Sequence, residues 1–328
     1  MKIGKIAEPV LIRSVLKETG HRREEVLEGP AAGRDASLLE NKEGTCTAVS
    51  AKSFTGLRKE AVRPALYTAV NDLAAAGADP VGILVNLLLT PDAEESSLKK
   101  IMRELEGFCK EQGLEILGGH TEVTQAVTKP VVTVTGIGKI EKDRRISSSF
   151  AKPGQDVVLT KWIGLYGTAF AAKAEEAKLL DRFAPSFVET AKSFEAYSLV
   201  TKDAELAAKY GVSAMHDLEE GGVFGGLWEL CSASGTGIDV DLKKIPIRQE
   251  TVEVCEALGL NPYLLMSCGS LLLTAEDGFG LVRKLEQEGI HGAVIGKITD
   301  GNDKIIRNGS DTRYLDKPQA DEIYKIEA

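Results

Sequence analysis

From Pro64 to Gly138 the chain alternates helical and extended periodicity, which limits it to folds in which helices pack against a sheet. Leu66, Ala69, Val70, Leu73 and Ala76 recur at helical spacing, with Gly77 placed to end the helix and Pro80 just beyond it. The apolar run VGILVNLLL (81–89) follows as a strand. A second helix opens at Pro91-Asp92, carries the stripe Leu98, Ile101, Met102, Leu105, Phe108 and Cys109, and stops at Gly113. A short strand (114–117), a turn at Gly118-Gly119 and the strand VVTVTGIG (131–138) complete the pattern.

At 328 residues the chain suits two domains of roughly 150 residues each. The charged stretch starting at Glu141, followed by Lys152-Pro153-Gly154, reads as a linker, so the expected division is 1–150 and 151–328. Past it, DVVLT (156–160) is a strand, 169–180 a helix, 222–233 a helix, and GIDVDL (237–242), 270–275 and 293–298 are strands. The expected fold class is α/β in the first half passing to α+β in the second.

A net charge of −9 disfavours a nucleic-acid partner, because phosphate binding relies on clustered cations. Lys5, Glu8, Pro9 and Arg13 interrupt the apolar residues at the start, unlike a signal peptide, and the run 81–89 is too short to span a bilayer. No membrane association is expected, and a cytoplasmic location is. Cys46, Cys109, Cys231, Cys255 and Cys268 show no C-x-x-C spacing and read as reduced structural thiols.

Four short constellations put glycine or carboxylate where packing does not call for it. Gly33-Arg34-Asp35-Ala36 is either a turn or a loop whose N–H groups approach an anion while Asp35 holds a cation. Asn71-Asp72 interrupts an Ala-rich helix, and either faces solvent or faces a site. Gly118-Gly119-His120-Thr121-Glu122 is a sharp turn or a ligand loop at a strand end. In His216-Asp217-Leu218-Glu219-Glu220-Gly221-Gly222, two glycines open a helix, an anion site by its dipole, with Glu219 and Glu220 expected to cap it.

In this order the four resemble the aminoimidazole-ribonucleotide (AIR) synthetase superfamily, which includes HypE-type hydrogenase maturation factors, selenophosphate synthetases and thiamine-monophosphate kinases. Gly33-x-Asp35-Ala36 is similar to the family's G-D-D-A segment, VNDLAAAGADP (70–80) to its V-N-D helix, and GGHTEV (118–123) to its G-G-[DEH]-T turn. HDLEEGGV (216–223) and the stretch after Gly237 look like the HypE branch. The resemblance implies a two-domain fold in which the N-terminal sheet pairs with its twin in a homodimer. It implies ATP and Mg²⁺ as cofactors, with Asp35, Asn71, Asp72, Gly118, Gly119, His120, Thr121 and Glu122 toward the nucleotide and Asp35, Asp72 and Asp217 toward metal; Lys52, a cation in place of an expected anion, is expected to contact the nucleotide's phosphate directly. It also implies a protein partner in a maturation pathway.

Some residues depart from the family pattern. Lys52 stands where an aspartate metal ligand is usual, Arg34 replaces the first acid of G-D-D-A, and Glu220 replaces an arginine of the HypE branch. HypE factors end in a cysteine, whereas this sequence ends Tyr324-Lys325-Ile326-Glu327-Ala328. The expected activity is therefore ATP-dependent activation of an amide or acid oxygen without that thiol, the alternative being a nucleotide-binding scaffold that has lost turnover.

Overall fold

The structure is a computed structural model that describes residues 7–19, 21, 23–41, 44–55 and 62–326. The chain ends considered above, 1–6 and 327–328, lie outside these residues.

The first half builds a six-stranded sheet. Its elements are α1 (Glu8–Ser14), β1 (Val26–Glu28), β2 (Ser37–Glu40), β3 (Thr45–Thr55), α2 (Val62–Ala75), β4 (Asp79–Leu89), α3 (Glu95–Gln112), β5 (Glu115–Val123) and β6 (Val131–Glu141), with strand order β1-β2-β3-β6-β4-β5. β4 and β5 run parallel, joined through α3, and the remaining pairs are antiparallel. Alternation sets the two faces. Ser50, Lys52 and Phe54 of β3 and Val132 and Val134 of β6 turn toward α2. Val49, Leu84, Leu88 and Ile137 point to the opposite face, where no element among the described residues covers them fully.

The second half builds a seven-stranded sheet from β7 (Asp156–Thr160), α4 (Leu165–Ala174), α5 (Glu176–Leu180), α6 (Pro185–Ser193), α7 (Thr201–Tyr210), β8 (Ala214–Asp217), α8 (Gly222–Ser234), β9 (Gly237–Asp241), α9 (Gln249–Leu258), β10 (Leu271–Ala275), α10 (Gly278–Gln287), β11 (Gly292–Thr299), β12 (Lys304–Asn308) and β13 (Asp311–Tyr314). Its order is β13-β12-β9-β11-β7-β10-β8, which puts β8 and its terminal His216-Asp217 at an edge. The helix expected over 169–180 is two helices, broken at Glu175.

α2 is buried on nearly every side because it lies between the first sheet and the second half, so the polar pair Asn71-Asp72 is 0% exposed rather than solvated. One apolar cluster joins Leu66, Ile83 and Val134 to Phe170 and Leu265, so the halves share a core. The linker stretch is packed as well: Ile146 is buried and its N–H donates to the Ala76 carbonyl.

The turn expected at Gly118-Gly119 is absent. Both glycines sit inside β5 with φ of 145° and 150°, an extended conformation open to glycine, after a bulge at Leu117 that shifts the register against β4. A Cβ on Gly119 would lie 1.8 Å from the Val85 carbonyl oxygen, so it is strand pairing that requires glycine here.

Candidate functional site

A cleft opens where the two halves meet. It is lined by Glu8 of α1, Gly33, Arg34 and Asp35 of the loop before β2, Lys52 of β3, His216 and Asp217 at the end of β8, Glu219 to Gly221 before α8, Glu229 of α8, and Asp321. The close approach at Gly33 needs a glycine: φ is 70°, and a Cβ would stand 2.2 Å from the Glu229 carbonyl oxygen. Ser148 Oγ donates to the Gly33 carbonyl at 2.5 Å and fixes the loop from the other side.

Lys52 reaches from the sheet into a group of carboxylates. Its Nζ lies 2.7 Å from Glu219 Oε2 and 3.0 Å from Asp72 Oδ2, and Ser50 Oγ also donates to Asp72 Oδ2. Asp72, Asp217 and Glu219 each offer an oxygen within 4.8 Å of the others. Burial opposes the charge on Lys52, but Asp72, Glu219 and Asp217 outweigh it and hold the ammonium well above its ordinary pKa. Burial pushes Asp72 up to about 7 against the pull of Lys52, with Glu219 and Asp35 adding to the rise. Burial, then Glu219 and Asp72, drive Asp217 well above the usual carboxylate range. Asp72 Oδ1, Asp217 Oδ2 and Glu219 Oε1 are buried without a hydrogen-bond partner among the described residues. Protons retained on Asp72 and Asp217 would serve these oxygens.

A second cluster adjoins the first. His216 Nδ1 lies 2.6 Å from Asp35 Oδ1, and Nε2 lies 3.2 Å from Glu229 Oε2. Burial disfavours the imidazolium, but Asp35 and Glu229 reverse this and raise its pKa to about 10, so His216 carries a charge at neutral pH.

Opposite Lys52, the Asp321 carboxylate accepts from the N–H groups of Gly221 (2.5 Å), Ile323 (2.7 Å) and Met266 (3.1 Å). Burial pushes its pKa up to about 7 although these donors favour the charged form. Asp321 thereby anchors the segment that leads into α8, and Tyr324 Oη donates to Glu220 Oε1 at 2.8 Å.

Asp35, Lys52, Asp72 and Asp217 thus converge on the cleft or its floor. Asn71 does not face it. Its Nδ2 donates to the Ser198 carbonyl at 2.9 Å and its Oδ1 accepts from Val200 N–H at 3.0 Å, tying α2 to the segment before α7. Gly118, Gly119, His120, Thr121 and Glu122 lie on β5 at the sheet's outer edge, separated from β3 by β6 and β4, and His120 and Glu122 are exposed there.

Sequence patterns missed three participants. Glu219, expected to cap α8, points its carboxylate at Lys52. His216 stood in the constellation 216–222 without a role and Asp321 gave no local signal, since Asp35, which pairs with His216, and Gly221, which donates to Asp321, lie 181 and 100 residues away by chain position (216 − 35 and 321 − 221). All five cysteines are buried, and burial pushes the Cys268 thiol well above its ordinary range.

A divalent ion does not fit the cluster as these side chains stand. Lys52 Nζ fills the space between Asp72 and Glu219, and a divalent ion about 4 Å from the ammonium would meet repulsion on the order of 8 kcal/mol at an effective dielectric of about 20. The neighbouring group of Asp35, His216 and Asp217 contains a charged imidazolium.

A family model described as "AIR synthase related protein, N-terminal domain" matches residues 33–140, and one described as "AIR synthase related protein, C-terminal domain" matches residues 152–308. Among curated proteins, a putative hydrogenase expression/formation protein of Methanocaldococcus jannaschii is 27% identical over 269 residues, covering 80% of this chain and 78% of that one. The carbamoyl dehydratase HypE of Cupriavidus necator is 28% identical over 209 residues, 63% of this chain, and the match spans only 57% of that protein's length. Among solved structures, a chain of a HypE–HypF complex superposes with a TM-score of 0.75 at 22% identity, covering 94% of this chain and 99% of that one. HypE in complex with ATP gives 0.73 at 20% (98% and 98%), and a ThiL complexed with AMPPCP and TMP gives 0.72 at 20% (96% and 98%). At these identities the superpositions speak for the fold. No helix among the described residues is long and apolar enough to cross a membrane. The chain has the AIR synthase-like fold and belongs to the AIR synthase related family, with homologues among the HypE hydrogenase maturation proteins.

Proposed function

We propose that this chain binds ATP in the cleft between its halves and transfers the terminal phosphoryl group to an amide or acid oxygen, turning that oxygen into a leaving group. The observation that carries this proposal is the convergence of Gly33, Asp35, Lys52 and Asp217, drawn from motifs in both halves, on one cleft that abuts the N-terminal end of α8. Phosphoryl transfer depends mainly on positioning and charge neutralisation, which suits a site of glycines and charged groups without a nucleophile triad. The HypE solved with ATP and the HypE solved with HypF support a nucleotide and a protein partner for this chain too. None of the five cysteines is accessible, so none of them carries the acceptor group.

A second function, nucleotide binding without turnover, is favoured by one observation: the ammonium of Lys52 is committed to Asp72 and Glu219 rather than turned to the open cleft. Calorimetric titration with ATP, followed by a phosphate-release assay with candidate amides, separates the two. Binding with release supports transfer, binding without release supports the scaffold, and no binding at millimolar ATP sinks both.

Homodimerisation belongs to the same proposal. Leu84 is 36% exposed, and Leu117 and Val123, at 45% and 59%, lie at the β5 edge. An edge strand beside a partly apolar face seeks a partner. A twin packed there would also bring His120, Thr121 and Glu122 into an interface. Sedimentation equilibrium at micromolar concentration is expected to give twice the 35.2 kDa chain mass; a monomer would refute it.

A further inference from the structure

We propose that Lys52 is the permanent counter-ion of the Asp72–Asp217–Glu219 cluster and takes the place of a divalent cation, so that this protein binds no metal ion there. The inference concerns the same cleft as the proposed function but does not depend on nucleotide binding.

Three observations carry it. The donor set is right for a hard divalent ion, with three carboxylates from α2, β8 and the loop before α8 close enough to share one. A cation of this chain already stands among them, its Nζ 3.0 Å from Asp72 and 2.7 Å from Glu219. The ammonium is also held in place. Lys52 lies on the α2-facing side of β3, whose ladder to β6 is paired residue for residue from Thr45 to Thr55, leaving no slack in register for the side chain to withdraw. Only 24% of that side chain is exposed, and the partners it reaches come from both halves of the chain.

An ammonium and a divalent ion are not equivalent counter-ions. The ammonium donates hydrogen bonds and cannot bridge a carboxylate to a phosphate, whereas a metal ion can do both jobs of neutralising and coordinating. With Lys52 resident, the protein contributes a fixed positive charge to the cleft and no coordination sphere at this cluster. Any divalent ion that accompanies a nucleotide then rides on the nucleotide's own phosphates. Lys52 acts as a positioning residue, holding α2 and the segment before α8 in the arrangement that an ion would otherwise impose.

The test uses Mn²⁺ alone, with no nucleotide, on the full chain, and reads binding by electron paramagnetic resonance of free Mn²⁺ together with the shift of the melting temperature. The native protein is expected to bind no stoichiometric Mn²⁺ up to about 1 mM, and its melting temperature to be insensitive to the ion. Lys52→Ala is expected to gain one Mn²⁺ per chain, at least about tenfold tighter than the native protein, with a melting temperature that rises as Mn²⁺ is added. Lys52→Ala/Asp72→Asn is expected to lose that gain. One Mn²⁺ per chain in the native protein, abolished by Asp72→Asn, would overturn the proposal, as would a folded Lys52→Ala that gains none. Circular dichroism checks the fold of each variant, and should Lys52→Ala fail to fold, the native protein compared with Asp72→Asn still decides. Because ATP is absent throughout, a failure of nucleotide binding leaves this result untouched.

Discussion

Asp321→Ala is expected to cost about 4 kcal/mol of stability, because it strands three buried backbone N–H groups that each cost about 1–3 kcal/mol when unsatisfied. For a chain of this size that corresponds to a fall of roughly 6 °C in melting temperature. The carboxylate joins three separate segments, accepting from Gly221 at the entry to α8, from Met266 in the loop before β10, and from Ile323 beside it. Its loss therefore loosens the cleft wall as well as the tail. Gln319→Ala, two residues away, is the control. Its side chain donates to the Lys317 carbonyl at the surface, and the change should fall within about 0.5 kcal/mol of the native protein. Thermal unfolding of the two variants checks the contrast, and equal melting temperatures would show that Asp321 anchors nothing.

Lys52→Met keeps most of the side-chain stem and removes the charge, leaving Asp72 and Glu219 facing each other in a buried site. Breaking a buried ion pair from one side costs about 3 kcal/mol or more. The loss should depend on pH in a definite direction. Asp72 already sits at about 7 through burial, against roughly 3.9 in the unfolded chain. Without Lys52 its folded pKa rises further. A carboxyl whose folded pKa is raised binds more protons folded than unfolded, so its stabilisation is complete below the unfolded pKa and is lost as pH climbs through the folded one. Lys52→Met should therefore stand close to the native protein near pH 5, begin to fall away as pH passes about 7, and lose the full amount only above about pH 9. Urea unfolding at the two pH values reads the difference. An equal loss at both would assign the effect to packing rather than charge.

Much of this site was legible in the chain because its residues break local rules. Asp72 in an Ala-rich helix stood out as either solvent-facing or site-facing, and the structure shows it 0% exposed against Lys52. Asp35 and Asp217 stood beside glycines, and both reach the cleft. What periodicity could not show was the pairing between distant segments. Glu219 looks like a helix cap from its neighbours alone, yet its partner Lys52 is 167 residues earlier. Gly118-Gly119 looks like a turn because two glycines usually break a strand, but a bulge at Leu117 and the close Val85 backbone make glycine the residue that continues it. Asn71 was grouped with Asp72 as a site residue by adjacency. On a helix, however, consecutive side chains point about 100° apart, and Asn71 turns instead to the backbone of Ser198 and Val200. The strand and helix order of the first half, from α2 through β6, followed largely from apolar spacing, because α2, β4, α3 and β6 each turn an apolar stripe to the shared core.

The cleft between the halves is the proposed nucleotide site. A crystal structure of the protein with a non-hydrolysable ATP analogue tests it most directly. The expected result is a triphosphate in the cleft bounded by the Gly33 loop, Lys52 and the segment leading into α8, with Lys52 still in contact with Asp72. An analogue bound elsewhere on the chain, or a cleft that stays empty at saturating concentration, would contradict it.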